Sequence, residues 1–187
     1  MKNIFSSTFV AALLVAMLVC AHAVAGAEPD RFRAGAAAGI ITPRLGVSIN
    51  GYFNDRVARH IHDELHARCL VLDDGKMRLA VVVCDSCMIP REVMDAAKAL
   101  IAQRSGIPAD RVLISATHTH TGPTCISVFQ SDPDKEYQQF MAVRIADAVQ
   151  RAVNNLAPAQ IAWGVGKEPN QVFNRRWRMK PGTVLVD

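Results

Sequence analysis

The chain has 187 residues, a length that suits one domain, or one domain with part of another. Half of its residues are hydrophobic and a fifth are charged, so a packed core is expected and disorder is not the starting expectation. The formal charge of +4 is mild, and no Lys/Arg block or basic stripe interleaved with aromatics accompanies it, which argues against nucleic acid as a partner.

Residues 1–27 read as a secretory signal peptide. Lys2 supplies the positive start, Phe9 to Cys20 the apolar run, and A-x-A-like sites end at Ala23, Ala25 and Ala27. The apolar run is short against the ~20 residues of a membrane span, which favours cleavage over an anchor. The expectation is export, to the periplasm or the medium, with residues 28–187 forming the folded part. Export makes Cys69, Cys84, Cys87 and Cys125 disulfide candidates, and "CDSC" brings Cys84 and Cys87 close enough to bridge. The alternative is four small buried thiols. A four-thiolate zinc site is disfavoured because a second C-x-x-C is missing. A redox role for "CDSC" is disfavoured because no helix starts directly after its first cysteine.

In chain order, "RFRAGAAAGIITP" predicts a first strand ended by Pro43, and "GVSINGYFNDR" a loop with Asn50-Gly51 as its turn. "HARCLVLDDGKMRLAVVVCD" predicts a hairpin around Asp73-Asp74-Gly75. A helix follows Pro90, with Val93, Met94, Ala97, Leu100 and Ile101 on one face and Gly106 as its stop. "RVLISAT" predicts a buried strand, so residues 79–117 make the crossover that sets neighbouring strands parallel. A second helix is predicted from Asp132-Pro133 to about Asn154, with Tyr137, Phe140, Met141, Ile145, Ala148, Val149 and Ala152 as its apolar stripe. "AQIAWGVGKE" predicts another strand, and "NRRWRMKPG" a basic loop before "TVLV". The class is α/β, a mixed, partly parallel sheet with packed helices. "TVLVD" reads as a strand beginning, so the expectation is the incomplete N-terminal portion of a larger catalytic domain.

"LISATHTHTGPTC" carries the chemistry. His118 and His120 follow a buried strand, and ligands of open α/β sheets gather at the carboxyl ends of strands. Residues two apart in an extended segment point the same way, which suits a shared metal. Asp85 ends the partner strand and is expected to accept the outer N–H of a histidine. "HIHDELH" is not H-E-x-x-H. His60 and His66 read as surface or satisfied histidines, while His62 stays a pocket candidate together with Gly122.

These residues also carry a resemblance. "ATHTHTGP" is similar to the A-T-H-T-H-S-G-P signature of the neutral/alkaline non-lysosomal ceramidases. "AGIITP", "GVSINGYF", "IHDELHARCLVLDDG", "VVVCDSCMI" and "FNRR" resemble the family's surrounding segments in the same order, from about Ala34 to Arg178. The resemblance implies a zinc amidohydrolase that cleaves the amide of N-acylsphingosine (ceramide), or a related N-acyl lipid, to a fatty acid and an amine. It implies Zn2+ held by His118, His120 beside the metal as proton carrier, and Arg175 on a substrate oxygen or the oxyanion. It implies a small-molecule or lipid amide substrate, and contact with a membrane surface to reach it. Thr121, Thr124 and Cys125 stand where the family signature has Ser and Gly-Gly, which leaves the substrate open. The family's remaining zinc ligands, a histidine, a glutamate and a tyrosine, are expected beyond residue 187, so this chain alone is expected to be inactive. The alternative is a truncated, non-catalytic exported binding protein or a decaying gene product.

Overall fold

Small residues decide how the first strand is used. In the computed structural model, which describes residues 32–171, 173, 176 and 178–183, β1 (Arg33–Ile40) reads R-A-G-A-A-A-G-I. Gly35 and Gly39 are buried beneath the long second helix. A Cβ on Gly35 would strike the Ala152 carbonyl oxygen, and one on Gly39 would stand 3.0 Å from the Ala148 Cβ. Glycine here lets a helix backbone lie against a strand backbone.

β2 (His66–Asp73) and β3 (Arg78–Cys84) form the predicted hairpin. Gly75 takes φ 88° at its tip, and Asp73 and Asp74 accept the N–H groups of Gly75, Lys76 and Met77. The second Asp73 oxygen accepts from Arg33 at 2.7 Å and Arg78 at 2.9 Å, which ties β1 to the hairpin base. The crossover then runs as expected. α1 (Arg91–Ser105) starts after extended Pro90 and ends at left-handed Gly106, whose N–H reaches the Ala102 carbonyl. β4 (Val112–Ala116) pairs parallel with β3, from Ala80↔Val112 to Cys84↔Ala116. The sheet order is β4-β3-β2-β1-β5, antiparallel except at β3/β4. The mixed, partly parallel α/β sheet expected from sequence is therefore what forms.

Ala67, Cys69, Val71, Ala80, Val82, Cys84, Val112 and Ile114 face the helices. They pack with Val93, Ala97 and Ile101 of α1 and with Met141, Ile145, Ala148 and Val149 of α2 (Lys135–Asn154) in one core. Both helices lie on the same side. Ile40, Leu70, Leu79 and Leu113 point to the other side and stay exposed.

Two predicted elements shift. α2 begins two residues later than expected, because the Asp134 carboxylate rather than that of Asp132 caps it by accepting the Tyr137 N–H at 3.1 Å. Phe140 leaves the predicted stripe and is 40% exposed. The strand expected over "AQIAWGVGKE" does not form. β5 is only Ala157–Pro158, paired with Ala34 and Arg33, and Ala159 adds one bond to the Phe32 carbonyl. Beyond it Trp163 and Val165 are exposed, with no sheet surface beneath them to reward an extended β-pattern. The leader read over residues 1–27 and the apolar end after Thr183 lie outside the described residues. Among the described residues, no helix is long and apolar enough to cross a membrane.

Candidate active site

The parallel pair β3/β4 stays zipped beyond its ladder. Thr117 N–H donates to the Cys84 carbonyl at 2.9 Å and His118 N–H to the Ser86 carbonyl at 3.0 Å. This holds "CDSC" and "THTH" side by side at the carboxyl ends of both strands. His118 has φ 62°, a conformation that non-glycine side chains rarely adopt, and it turns the chain out of the strand. Such strain persists only where the surroundings impose it.

The His118 Nδ1 lies 2.9 Å from the Cys87 carbonyl oxygen and 3.7 Å from the Cys87 Sγ. A carbonyl can only accept, so this contact assigns the proton to Nδ1 and leaves the lone pair on Nε2. The His120 ring stands edge-on to His118, centroids 5.0 Å apart, and edge-on to Tyr52 at 6.3 Å. Gly51, at φ 98°, lies directly beneath His120: a Cβ there would come within 2.6 Å of the imidazole Nδ1 and 2.8 Å of its Cβ. The guanidinium of Arg56 lies 3.7 Å over the Tyr52 ring.

The predicted loop over 46–56 is thus half of the site. It docks on "TGPTC" through Asn50 N–H to the Gly122 carbonyl (3.1 Å) and Thr124 N–H to the Ser48 carbonyl (2.8 Å). Asn50 is fully buried, and its amide Nδ2 donates to the Ile126 carbonyl. Beside His120 opens a cleft of about 450 Å³, lined by Tyr52, Arg56, His60, His62 and Gly122 and by the apolar Leu45, Val47, Ile49 and Leu65.

The structure brings His118, His120 and Gly122 together. His62 lines the same cleft, but its side chain is solvated and pairs only with Asp63 at 3.3 Å. Arg175 lies outside the described residues. Two expectations need correction. Asp85 does not serve His118 or His120: its carboxylate accepts the backbone N–H of His66 at 3.0 Å and pairs with Arg68 at 2.6 Å, and the Cys87 carbonyl takes the role expected of it. Nor are Cys84 and Cys87 bridged. All four described cysteines are buried free thiols, with Cys84 turned into the core and Cys87 toward His118. Burial pushes the thiols of Cys84 and Cys69 up to about 12 and that of Cys125 to about 11, and it raises that of Cys87 as well.

Sequence reasoning missed Cys87 as a neighbour of His118, and missed the Gly51–Tyr52 floor. The Asn-Gly signal marked that floor as a turn without revealing what it would touch. Donor atoms of Cys87, His118 and His120 all lie within 4.8 Å of one another. A preoriented imidazole with a free Nε2 beside a second imidazole fits a bound zinc ion.

Residues 32–178 match the family profile "Neutral/alkaline non-lysosomal ceramidase, N-terminal". Among solved structures, the chain is similar to the neutral ceramidase from Pseudomonas aeruginosa, at 26% identity and TM-score 0.63 over 70% of this chain and 23% of that one. It is also similar to a structure described as a ceramidase complexed with C2, at 26% identity and TM-score 0.61 over 68% of this chain and 22% of that one. The chain thus spans less than a quarter of the length of the solved ceramidases it matches.

Proposed function

The chain belongs to the neutral/alkaline non-lysosomal ceramidase family, and from that premise we propose that it contributes the first part of an exported, zinc-dependent amidohydrolase. The reaction is hydrolysis of the amide of an N-acylsphingosine, or of a related N-acyl lipid, to a fatty acid and an amine. The observation that carries this reading is the oriented imidazole pair at the strand ends, with His118 fixed by the Cys87 carbonyl and His120 seated on Gly51 beside the cleft.

His118 would hold the zinc through Nε2. Zinc, when bound, supplies Lewis acidity, polarising an amide carbonyl and making water a better nucleophile. The remaining work falls to side chains. The Cys87 carbonyl keeps the His118 ring from rotating. His120, held by Tyr52 and Gly51, carries a proton between water and the leaving amine. By the family resemblance, Arg175 would serve the substrate oxygen where negative charge develops. The apolar wall of the cleft, Leu45, Val47, Ile49 and Leu65, accepts part of a hydrocarbon chain.

Exposed Phe53 and Phe129, packed at a tilt with ring centroids 4.6 Å apart on the two site loops, suit contact with a lipid surface. Residues 1–27 act as the export signal. Further zinc ligands would come from a protein of the solved relatives' length, to which the activity is assigned.

The test is hydrolysis of a short-chain fluorescent N-acylsphingosine by the expressed protein. It is run on the 187-residue chain and on the longer product where the reading frame continues. His118→Ala should abolish zinc binding and hydrolysis together; a fully active variant would overturn the zinc assignment.

A further inference from the structure

The cleft beside His120 is cationic as well as apolar. Its lining carries the guanidiniums of Arg44 and Arg56 and the imidazoles of His60, His62 and His120, against one carboxylate among the described residues, that of Asp63. Most of the formal charge is already engaged. Arg44 pairs with Asp134 at 2.9 Å and Glu136 at 3.4 Å, and Asp63 lies 3.3 Å from His62. Arg56 differs: among the described residues no carboxylate pairs with it, and its guanidinium lies 3.7 Å over the Tyr52 ring. The same ring stands edge-on to His120. A single aromatic ring therefore separates an uncompensated cation from the imidazole read as the proton carrier. The backbone fixes this stack. Ile49 N–H donates to the Arg56 carbonyl at 2.7 Å, and Ser48 pairs with Val57, which closes the loop that carries both Tyr52 and Arg56. Stacking through its face leaves the N–H groups on the edge of a guanidinium available, and their fork matches the two oxygens of a carboxylate or a phosphate.

An N-acylsphingosine has no charge to offer this fork. We propose that the amide taken by this cleft carries an oxyanion, a carboxylate or a phosphate ester, on its amine half, a few bonds from the amide nitrogen, and that Arg56 binds it. The inference rests on the amidase reading for the amide and names the substrate class. The apolar wall of the cleft takes the acyl chain, and His120 serves the leaving amine. A group bound on the Tyr52–Arg56 side of His120 therefore belongs to the amine. A neutral amide leaves Arg56 hydrated, whereas an acidic one gains charge-assisted hydrogen bonds from it.

Binding and hydrolysis are read separately. Three soluble probes share one acyl chain and one amide: N-octanoylglycine, N-octanoyl-O-phosphoethanolamine and the neutral N-octanoylethanolamine. Titration into the 187-residue chain, followed by 1H–15N spectra, should show an acidic probe binding roughly three- to tenfold tighter than the neutral one, with shifts at Gly51, Tyr52 and the Arg56 Nε–H. Preference for the carboxylate names an amino-acid-like amine, and preference for the phosphate a phosphoester headgroup; either supports the proposal. Raising salt from about 50 to about 500 mM should erase the preference without weakening the neutral probe, a test that needs no variant. Arg56→Gln should do the same. Absence of binding, equal binding of all three probes, or a preference that survives salt or Arg56→Gln would each overturn the proposal. Binding to vesicles of anionic lipid without binding to the soluble acids would assign Arg56 to a membrane surface and overturn it too. In the longer product, hydrolysis of the neutral amide as fast as the acidic ones overturns the proposal and keeps the amidase reading. An acid preference in binding with no hydrolysis of any probe removes the amidase reading and leaves the anion site standing.

Discussion

Replacing Gly51 with alanine tests whether the floor beneath His120 positions that ring. The new Cβ would stand 2.6 Å from the imidazole Nδ1 and 2.8 Å from the His120 Cβ. Ordinary heavy-atom contact begins near ~3.5 Å, so the ring must retreat by about 1 Å. A displacement of that size at a reacting group costs on the order of 10²-fold in rate. The substitution also strains a backbone at φ 98°, by roughly 1–3 kcal/mol.

Gly46 separates the two effects. It has φ 91°, but a Cβ there meets nothing within 4 Å. Gly46→Ala should therefore lower Tm by about 2–4 °C for each kcal/mol of strain and leave His120 where it is. Gly51→Ala should lower Tm at least as far, shift the His120 ring resonances in a 1H–15N spectrum, and reduce hydrolysis of an N-acylsphingosine by ten- to a hundredfold, on the order expected for a misplaced group. If the two variants match in His120 resonances and in hydrolysis, the floor has no positioning role.

Three further outcomes follow from the same structure. Gly35→Ala drives a Cβ into the Ala152 carbonyl, a backbone atom that cannot rotate away; urea unfolding should show a loss of about 3 kcal/mol, and a loss below ~1 kcal/mol would mean that α2 slides freely on β1. Burial alone would raise the Asp73 carboxyl, but the Gly75 N–H and the Arg78 and Arg33 guanidiniums hold it below its ordinary value of 3.8. Its stabilising contribution is thus present above 3.8 and lost as pH falls through the lower folded value, so Asp73→Asn should flatten the stability curve below pH ~4. A curve as steep in the variant as in the parent would reject that role. His118→Asn places a residue tolerant of left-handed φ at a strained position; Tm should hold or rise while metal binding is lost, and a large drop in Tm would show that the imidazole is chiefly a structural anchor.

Strong local signals made most of the fold legible. Asp74-Gly75 announced the hairpin, Gly106 the end of α1, and the unbroken apolar run "LAVVVC" the buried β3. His118 and His120 were legible because a strand ended at them. What escaped was set by tertiary contact. Nothing local says that the Cys87 carbonyl, and not Asp85, faces His118; that depends on how two post-strand turns zip together. The failed strand after Pro158 has the converse cause. Its residues carry a β-pattern, but the sheet offers them only the two-residue edge of β1. Cys84 and Cys87 are near neighbours in sequence, yet one side chain turns to the core and the other to the site, which no spacing rule reveals.

Among the described residues the helices cover one side of the sheet, and the far side presents Leu113 at 60% exposure beside Leu70, Leu79 and Ile40. An apolar back of this kind makes protein concentration an experimental variable for the 187-residue chain. Copies that associate through it stabilise one another by mass action, so the melting temperature should climb as the sample is concentrated. Comparisons between variants are therefore sound only at matched concentration, and a dilution series with light scattering belongs beside every melting curve.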